Sequence, residues 1–275
     1  IGDPVAHSVS PLMHNAAFRK LGLDYIYVPF RVKKEDLSKA VENVRALNMK
    51  GVNVTIPHKV AIIPLLDELE PLTGKIGAVN TVVNNGGALV GYNTDAAGFL
   101  KALLGKVTEI KGKSVVILGA GGASRAISFI LAQEDANLII LNRTLDRAKD
   151  CTDRISGFFQ REVKALELNN PNLKKALAKA DVLVNTTSVG MSPDSDQALV
   201  SSDFIRPDAV VFDIVYNPIK TKLLMEAEKA GAQTISGVEM LVWQGALAFE
   251  KWTGLEAPVD LMREEVIRAL ERHEN

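Results

Sequence analysis

Residues 114–124 read SVVILGAGGAS, and this stretch decides the fold. Residues 115–118 form a continuous apolar run, which is typical of a strand buried on both faces of a sheet. Gly119 and Gly121 follow it directly, and apolar residues at helical spacing begin at Ala123. A strand, a glycine-rich turn and a helix in this order predict a dinucleotide-binding βαβ unit.

The glycine-rich turn has the properties that a pyrophosphate needs. Gly119 permits a tight turn, Gly121 lets the backbone approach the ligand, and the helix N-terminus offers free N–H groups. Ser124 replaces the third glycine of the usual pattern, so the setting carries more weight than the motif, and a purely structural turn is the alternative. The predicted cofactor-binding residues of the turn are Gly119, Ala120, Gly121, Gly122, Ala123 and Ser124.

The end of the next predicted strand indicates which dinucleotide binds. Enzymes that use NAD place an acidic residue there, about 20 residues after the glycines, to bind the ribose 2′-hydroxyl. This chain has Asn142, Arg143 and Thr144 instead, with Arg147 close behind. Because guanidinium groups match phosphate oxygens, we predict NADP(H); the alternative is that both arginines only form a solvated helix face.

Composition limits what the rest of the chain can be. The 275 residues suggest one large domain or two ordinary ones, and 47% hydrophobic residues with 24% charged residues exclude a disordered chain. Basic residues number 32 and acidic residues 33, so no global basic field favours a nucleic-acid partner. Cys151 is the one cysteine and the histidines lack ligand spacing, so we expect no metal site.

The sequence contains no features that predict contact with a membrane. No apolar run approaches the roughly 20 residues that span a bilayer, and the first residues show no basic region followed by an apolar stretch. We therefore expect a cytoplasmic protein without membrane contacts. As a separate expectation, the protein is a monomer or a homodimer.

Short β-branched runs alternate with helical patterns along the chain, which predicts α/β architecture with mostly parallel strands. The predicted strands are 25–32, 52–56, 78–83, 89–92, 114–118, 138–141, 163–166, 182–185, 210–214 and 234–235. The main predicted helices are 11–21, 35–47, 59–69, 96–104, 221–231, 239–251 and 259–272.

Four polar residues of the first block lie where predicted strands and helices meet. Lys59 falls in a predicted first helical turn, where its charge opposes the helix dipole, so either a chemical role or a snorkelling surface lysine fits. Asp95 can cap the helix that follows it, and Ser8 or Ser10 can cap the first helix. Capping and a role in chemistry both stay open for these residues.

Several separate motifs in order make the chain resemble the shikimate dehydrogenases, which are NADP-dependent enzymes of aromatic amino-acid biosynthesis. The likeness covers essentially the whole chain. The motifs are IGDPVAHSVSP (1–11), NVTIPHK (53–59), GAVNT (77–81), GYNTD (91–95), GAGGAS (119–124), NRT (142–144), NTTSVGM (185–191), DIVYNP (213–218) and GVEMLVWQ (237–244).

The resemblance implies the reversible, NADPH-dependent reduction of 3-dehydroshikimate to shikimate. Lys59 and Asp95 match the catalytic pair: Lys59 would stabilise or protonate the developing alkoxide, and Asp95 would orient Lys59 and hold a substrate hydroxyl. The implied substrate-binding residues are Ser8, Ser10, Thr55, Lys59, Asn80, Asp95, Tyr216 and Gln244. The residues implied on the nicotinamide side are Thr186, Met191, Gly237 and Met240.

The resemblance also implies two α/β domains. Residues 1–95 and 238–275 would form a substrate domain with a mainly parallel sheet, to which the C-terminal helices return, and residues 96–237 a Rossmann-type NADP-binding domain. Two alternatives remain. An NAD-using quinate/shikimate dehydrogenase is expected to carry an acid after the second cofactor strand, and an inactive nucleotide-sensing regulator is expected to lack Lys59 or Asp95.

Overall fold

The computed structural model describes the backbone of residues 1–274 and the side chains of residues 1–272. The chain divides into two compact units, one formed by Ile1–Gly98 with Val242–His273 and the other by Phe99–Leu241. Each unit contains one sheet with helices packed on it, so the predicted α/β class is confirmed.

The first unit has a four-stranded mixed sheet. Its strands are β1 (Gly51–Asn53), β2 (Glu68–Leu69), β3 (Thr81–Asn85) and β4 (Ala88–Tyr92), in the spatial order β1-β3-β4-β2. Strand β3 is antiparallel to both β1 and β4, whereas β2 runs parallel to β4. The expected mainly parallel sheet is therefore wrong for this unit, because a hairpin joins β3 to β4 and makes those strands antiparallel. Gly86 and Gly87 turn the hairpin with φ of +64° and +103°.

The second unit has a six-stranded parallel sheet. Its strands are β5 (Ser114–Leu118), β6 (Asn137–Asn142), β7 (Lys164–Glu167), β8 (Val182–Asn185), β9 (Val210–Asp213) and β10 (Gln233–Ile235), in the order β10-β9-β8-β5-β6-β7. Each lies within one residue of its predicted range. The strand order reverses direction between β5 and β8, and the carboxyl ends of strands at such a point form a ligand-binding crevice.

Helices cover the sheets of both units. They are α1 (Ser10–Lys20), α2 (Leu37–Ala46), α3 (Pro71–Ile76), α4 (Thr94–Leu104), α5 (Gly122–Gln133), α6 (Leu145–Phe159), α7 (Asn170–Leu177), α8 (Lys222–Lys229), α9 (Gly237–Thr253) and α10 (Val259–Glu274). Within the described residues, no helix is long and apolar enough to cross a membrane.

Two predicted elements of the first unit are wrong. Residues 25–32 do not form a strand, because the Tyr27 N–H and C=O both bond the Asn15 side chain, and pairing is limited to a bridge between Gly2 and Arg31. Residues 59–69 do not form an α-helix but turns, a short 3₁₀ helix and β2. Pro64 lies in this segment, lacks an N–H and restricts the residue before it.

Glycines let helix α9 lie directly against two other helices of the first unit. A Cβ on Gly98 of α4 would be 2.6 Å from the backbone N of Gln244, and a Cβ on Gly245 would be 2.2 Å from Met13 Cε of α1. The backbone contact leaves no room for a side chain at Gly98, whereas at position 245 the flexible end of Met13 would have to move. The packing brings together the three helices that carry Ser10, Asp95 and Gln244.

Candidate active site

Lys59 and Asp95 form an ion pair in the first unit. Lys59 Nζ donates to Asp95 Oδ2 at 2.6 Å, and the two side chains are 22% and 9% exposed. The backbone O of Lys59 accepts from the Val79 N–H at 2.7 Å, which fixes the start of the lysine side chain. Lys59 lies in a turn rather than a helix, so the expected opposition to a helix dipole is absent. Asp95 lies in the first turn of α4, where the dipole stabilises a negative charge.

Helix α4 is capped by Asn93 and not by Asp95. Asn93 Oδ1 accepts from the Ala96 N–H at 3.0 Å, and its Nδ2 donates to Ala78 O at 2.8 Å. The capping alternative for Asp95 is therefore wrong, and its carboxylate is free to bind Lys59. Ser8 does retain a capping-type contact, because its Oγ accepts from the Ser10 N–H at 3.3 Å.

Asn80 holds the other oxygen of the Asp95 carboxylate. Asn80 Nδ2 donates to Asp95 Oδ1 at 2.9 Å and lies 3.4 Å from Gln244 Oε1. Its own Oδ1 accepts from the Thr94 N–H at 2.6 Å, so the amide cannot turn over without losing bonds at both ends. The structure thus brings Lys59, Asn80, Asp95 and Gln244 together. Thr55 lies half-buried, four residues before Lys59.

The glycine-rich turn of the second unit follows β5. Gly119 has φ of +106°, and a Cβ on it would lie 2.7 Å from Thr186 Oγ1. Ser124 Oγ donates to Gly119 O at 2.8 Å, so the serine that replaces the third glycine ties the turn to α5. A Cβ on Gly121 or Gly122 would meet no atom within 4 Å, and α5 has no side-chain cap. The helix N-terminus therefore faces open space that fits a pyrophosphate.

The residues predicted to select the dinucleotide lie at the end of β6. Arg143 and Arg147 are exposed, and neither forms an ion pair with an acid among the described residues. Asn142 Nδ2 donates to Thr144 O at 2.8 Å, which closes the strand end. Two available guanidinium groups beside this turn suit a 2′-phosphate.

The remaining predicted residues follow β8, β9 and β10. Thr186 Oγ1 donates to Leu118 O at 2.7 Å, and Gly237 packs so closely that a Cβ would be 2.4 Å from Ile214 O. Burial raises the pKa of Tyr216. These residues lie in the second unit, together with Met191 and Met240.

Asp213 organises these loops and was missed as a site residue by sequence reasoning. It is fully buried and accepts from Asn185 Nδ2 at 2.9 Å, the Val215 N–H at 3.1 Å and Thr221 Oγ1 at 2.6 Å. Burial raises the pKa of its carboxyl group, against the effect of these donors. The motif at 213–218 contains Asp213, but a single sequence does not show which members of a motif contact one another.

Substituting the two glycines of the turn is expected to separate folding from cofactor binding. Gly119→Ala places a side chain at positive φ against Thr186 and is expected to lower the free energy of unfolding by about 2 kcal/mol. Gly121→Ala adds a methyl group in open space at the N-cap of α5 and is expected to lower the free energy of unfolding by less than about 1 kcal/mol while weakening NADP⁺ binding. Denaturant unfolding and cofactor titration measure the two effects. Equal stability losses in both variants would contradict this account.

Comparison with known proteins covers most of the chain. Residues 1–82 match the shikimate dehydrogenase substrate binding domain, residues 102–216 match shikimate/quinate 5-dehydrogenase, and residues 237–267 match the shikimate 5′-dehydrogenase C-terminal domain. Shikimate dehydrogenase (NADP⁺) of Methanopyrus kandleri is 50% identical over 273 residues, which are 98% of this chain and 94% of that protein.

Solved structures of shikimate dehydrogenases have a fold similar to that of this chain. A shikimate dehydrogenase in complex with NADP⁺ has a TM-score of 0.93 and 43% identity, with coverage of 98% of this chain and 93% of that one. Shikimate 5-dehydrogenase from Listeria monocytogenes, in complex with shikimate and NAD, has a TM-score of 0.90 and 41% identity, with coverage of 96% and 93%. These similarities extend over nearly the whole chain, which belongs to the shikimate dehydrogenase family.

Proposed function

We propose that the chain catalyses the reversible, NADP-dependent reduction of 3-dehydroshikimate to shikimate. The observation that carries the proposal is the Lys59–Asp95 ion pair at 2.6 Å, held by Asn80, in a member of this family. A regulator that had lost the chemistry would have no need to keep a lysine and a carboxylate paired where both side chains are largely buried from solvent.

The unit that contains Lys59 is proposed to bind the substrate. Residues 1–82 of this unit match a family domain described as substrate-binding. Hydroxyl and amide groups suit a polyhydroxylated ring, because a site built to bond hydroxyls rejects analogues that lack them. The proposed ligands of the substrate are Ser8, Ser10, Thr55, Lys59, Asn80, Asp95, Tyr216 and Gln244.

Lys59 is proposed to act on the oxygen that changes oxidation state. NADPH, when bound, supplies the hydride that reduces the ketone carbon. The Lys59 ammonium group donates a hydrogen bond or a proton to the developing alkoxide, and a donor placed in advance is most effective where water is excluded. Asp95 keeps the ammonium in position through Oδ2, while Oδ1 is held by Asn80.

The second unit is proposed to hold NADP(H). The open N-terminus of α5 receives the pyrophosphate, and Arg143 with Arg147 receives the 2′-phosphate. Thr186, Met191, Gly237 and Met240 are assigned to the nicotinamide end. The Listeria monocytogenes relative is in complex with NAD, and rates with NADP⁺ and NAD⁺ test the preference of this chain. The cytoplasmic location and the monomer or homodimer state stay predictions.

Initial rates of reduced-cofactor formation test the proposal. Purified protein is given shikimate with NADP⁺, and NAD⁺ and quinate are run as alternative cofactor and substrate. Fast turnover with shikimate and NADP⁺ is expected. Comparable rates with NAD⁺ or quinate would favour the quinate/shikimate dehydrogenase alternative. No turnover with any pair, despite tight NADP⁺ binding, would favour the nucleotide-sensing regulator.

A further inference from the structure

A line of hydrogen bonds lies behind the Lys59–Asp95 pair, and all of its donors point the same way. Tyr27 O–H donates to Asn53 Oδ1 at 2.8 Å, and Asn53 Nδ2 donates to Thr81 Oγ1 at 3.0 Å. Thr81 Oγ1 donates to Asn80 Oδ1 at 3.2 Å, and Asn80 Nδ2 donates to Asp95 Oδ1 at 2.9 Å. We refer to these four bonds as the relay.

The amide groups set the direction of three of the four bonds of the relay; the Thr81 hydroxyl also lies 3.1 Å from Thr94 Oγ1, and its bond to Asn80 is the one that completes the relay. Asn53 Nδ2 also donates to Asn80 O at 3.1 Å, and this carbonyl would face the amide oxygen if the Asn53 amide were turned over, so the amide is held in one orientation. Thr81 is fully buried and Asn80 is 2% exposed. Hydrogen bonds of one direction in a shielded place polarise and strengthen one another. The relay therefore delivers oriented dipoles to the carboxylate that holds Lys59.

Tyr27 is the first residue of the relay, and its backbone, its ring and its hydroxyl group all make contacts. Its backbone bonds the Asn15 side chain at 2.7 and 2.9 Å, and its ring stacks on His14 with centroids 4.5 Å apart and an interplanar angle of 8°. Burial raises the pKa of the Tyr27 phenol. Tyr27 thus packs on α1, the helix that carries Ser10, and its hydroxyl group begins the relay.

We propose that Tyr27 is a positioning residue for the dehydrogenase reaction, which orients the Asn80–Asp95–Lys59 group through Asn53 and Thr81. This inference rests on the proposed function. It adds a residue that touches neither substrate nor cofactor and acts through groups that do. The motifs do not include Tyr27, so its role is visible in the contacts alone.

Tyr27→Phe tests the inference, because it removes the phenolic oxygen and keeps the ring stacked on His14. Loss of one positioning hydrogen bond is expected to lower kcat/KM for shikimate about tenfold and to weaken shikimate binding measured by calorimetry without cofactor. The KM for NADP⁺ is expected to stay within about twofold, since the relay lies outside the cofactor unit. Tyr25→Phe is the matched control: Tyr25 is 38% exposed and packs edge-on against Phe18, and its variant is expected to behave like the parent.

Thr81→Val supplies an independent test, because it breaks the relay with a side chain of the same shape. It is expected to cause its own loss in kcat/KM for shikimate. In the double variant with Tyr27→Phe, the combined loss is expected to be smaller than the product of the two single losses, since both interrupt one relay. If Tyr27→Phe does not fold, Thr81→Val is tested alone. It is expected to lower kcat/KM for shikimate and to leave the KM for NADP⁺ within about twofold.

The outcomes separate the relay from the proposed function. A parent protein that neither turns over nor binds shikimate would overturn the proposed function. An active parent with Tyr27→Phe and Thr81→Val unchanged, or with fully multiplicative losses, would overturn the relay alone. A drop in melting temperature with equal losses for shikimate and NADP⁺ would assign Tyr27 a purely structural role and would overturn it as well.

Discussion

Lys59→Ala is expected to lower turnover of shikimate by about a thousandfold, because a positioned general acid or base contributes about 10²–10⁴ to the rate. The variant removes the proposed proton donor and also leaves Asp95 without its ion-pair partner at 2.6 Å. Affinity for NADP⁺ is expected to change little, since the cofactor is assigned to the other unit. Turnover and cofactor titration are measured on the same preparation.

An exposed lysine provides the control for this experiment. Lys39 lies on α2 with its side chain in solvent, and Lys39→Ala is expected to keep the parent's rate. Near-normal turnover of Lys59→Ala would refute the role assigned to Lys59. A parallel loss of NADP⁺ affinity would show that the substitution disturbs more than the substrate site.

Arg143→Ala is expected to weaken NADP⁺ binding about 10- to 100-fold and to leave NAD⁺ binding within about twofold, because a hydrogen bond to a charged group contributes about 1.5–3 kcal/mol. The guanidinium group is exposed at the end of β6 and makes no ion pair with an acid of the described chain. It is therefore available to a 2′-phosphate, which NAD⁺ lacks. Dissociation constants for both cofactors measure the selectivity.

Arg154→Ala is the matched control on the same part of the second unit. Arg154 is an exposed arginine further along α6, away from the strand end. The variant is expected to bind both cofactors like the parent. If Arg143→Ala weakened both cofactors equally, the 2′-phosphate assignment would fail, and the arginines would be a solvated helix face.

The cofactor unit was the easier half of the fold to predict. Its strands are continuous apolar runs because parallel strands covered on both faces need them, and each predicted range agrees with the structure within one residue. The substrate unit was harder, because its extended segments depend on partners far away in sequence. Residues 25–32 have strand-like composition, but Asn15 takes the backbone groups of Tyr27 that a neighbouring strand would pair with.

The sequence predicted which residues take part in the site, but not which of them contact one another. Lys59, Asn80 and Asp95 were named from motifs, and the structure places them in contact. The sequence offered Asp95 as a helix cap. Asn93, two residues earlier, has the same capping ability and is the residue that caps the helix. Partners 26 residues apart, such as Tyr27 and Asn53, have no local pattern that pairs them.

The path of the chain through the two units has a consequence for how the protein is made. Trp252 Nε1 donates to Val82 O at 3.0 Å across a separation of 170 residues, and Asn80 contacts Gln244 across 164. The unit Phe99–Leu241 is one uninterrupted segment, so all of its contacts are within reach once residue 241 has emerged from the ribosome. The unit that holds Lys59 cannot complete its fold before α9 has been made. The entropy cost of bringing such distant segments together has to be met before their contacts can stabilise the unit. Residues 1–98 are therefore synthesised before the unit Phe99–Leu241 but can complete their folding only after it, once α9 has been made, and the catalytic groups assemble only then.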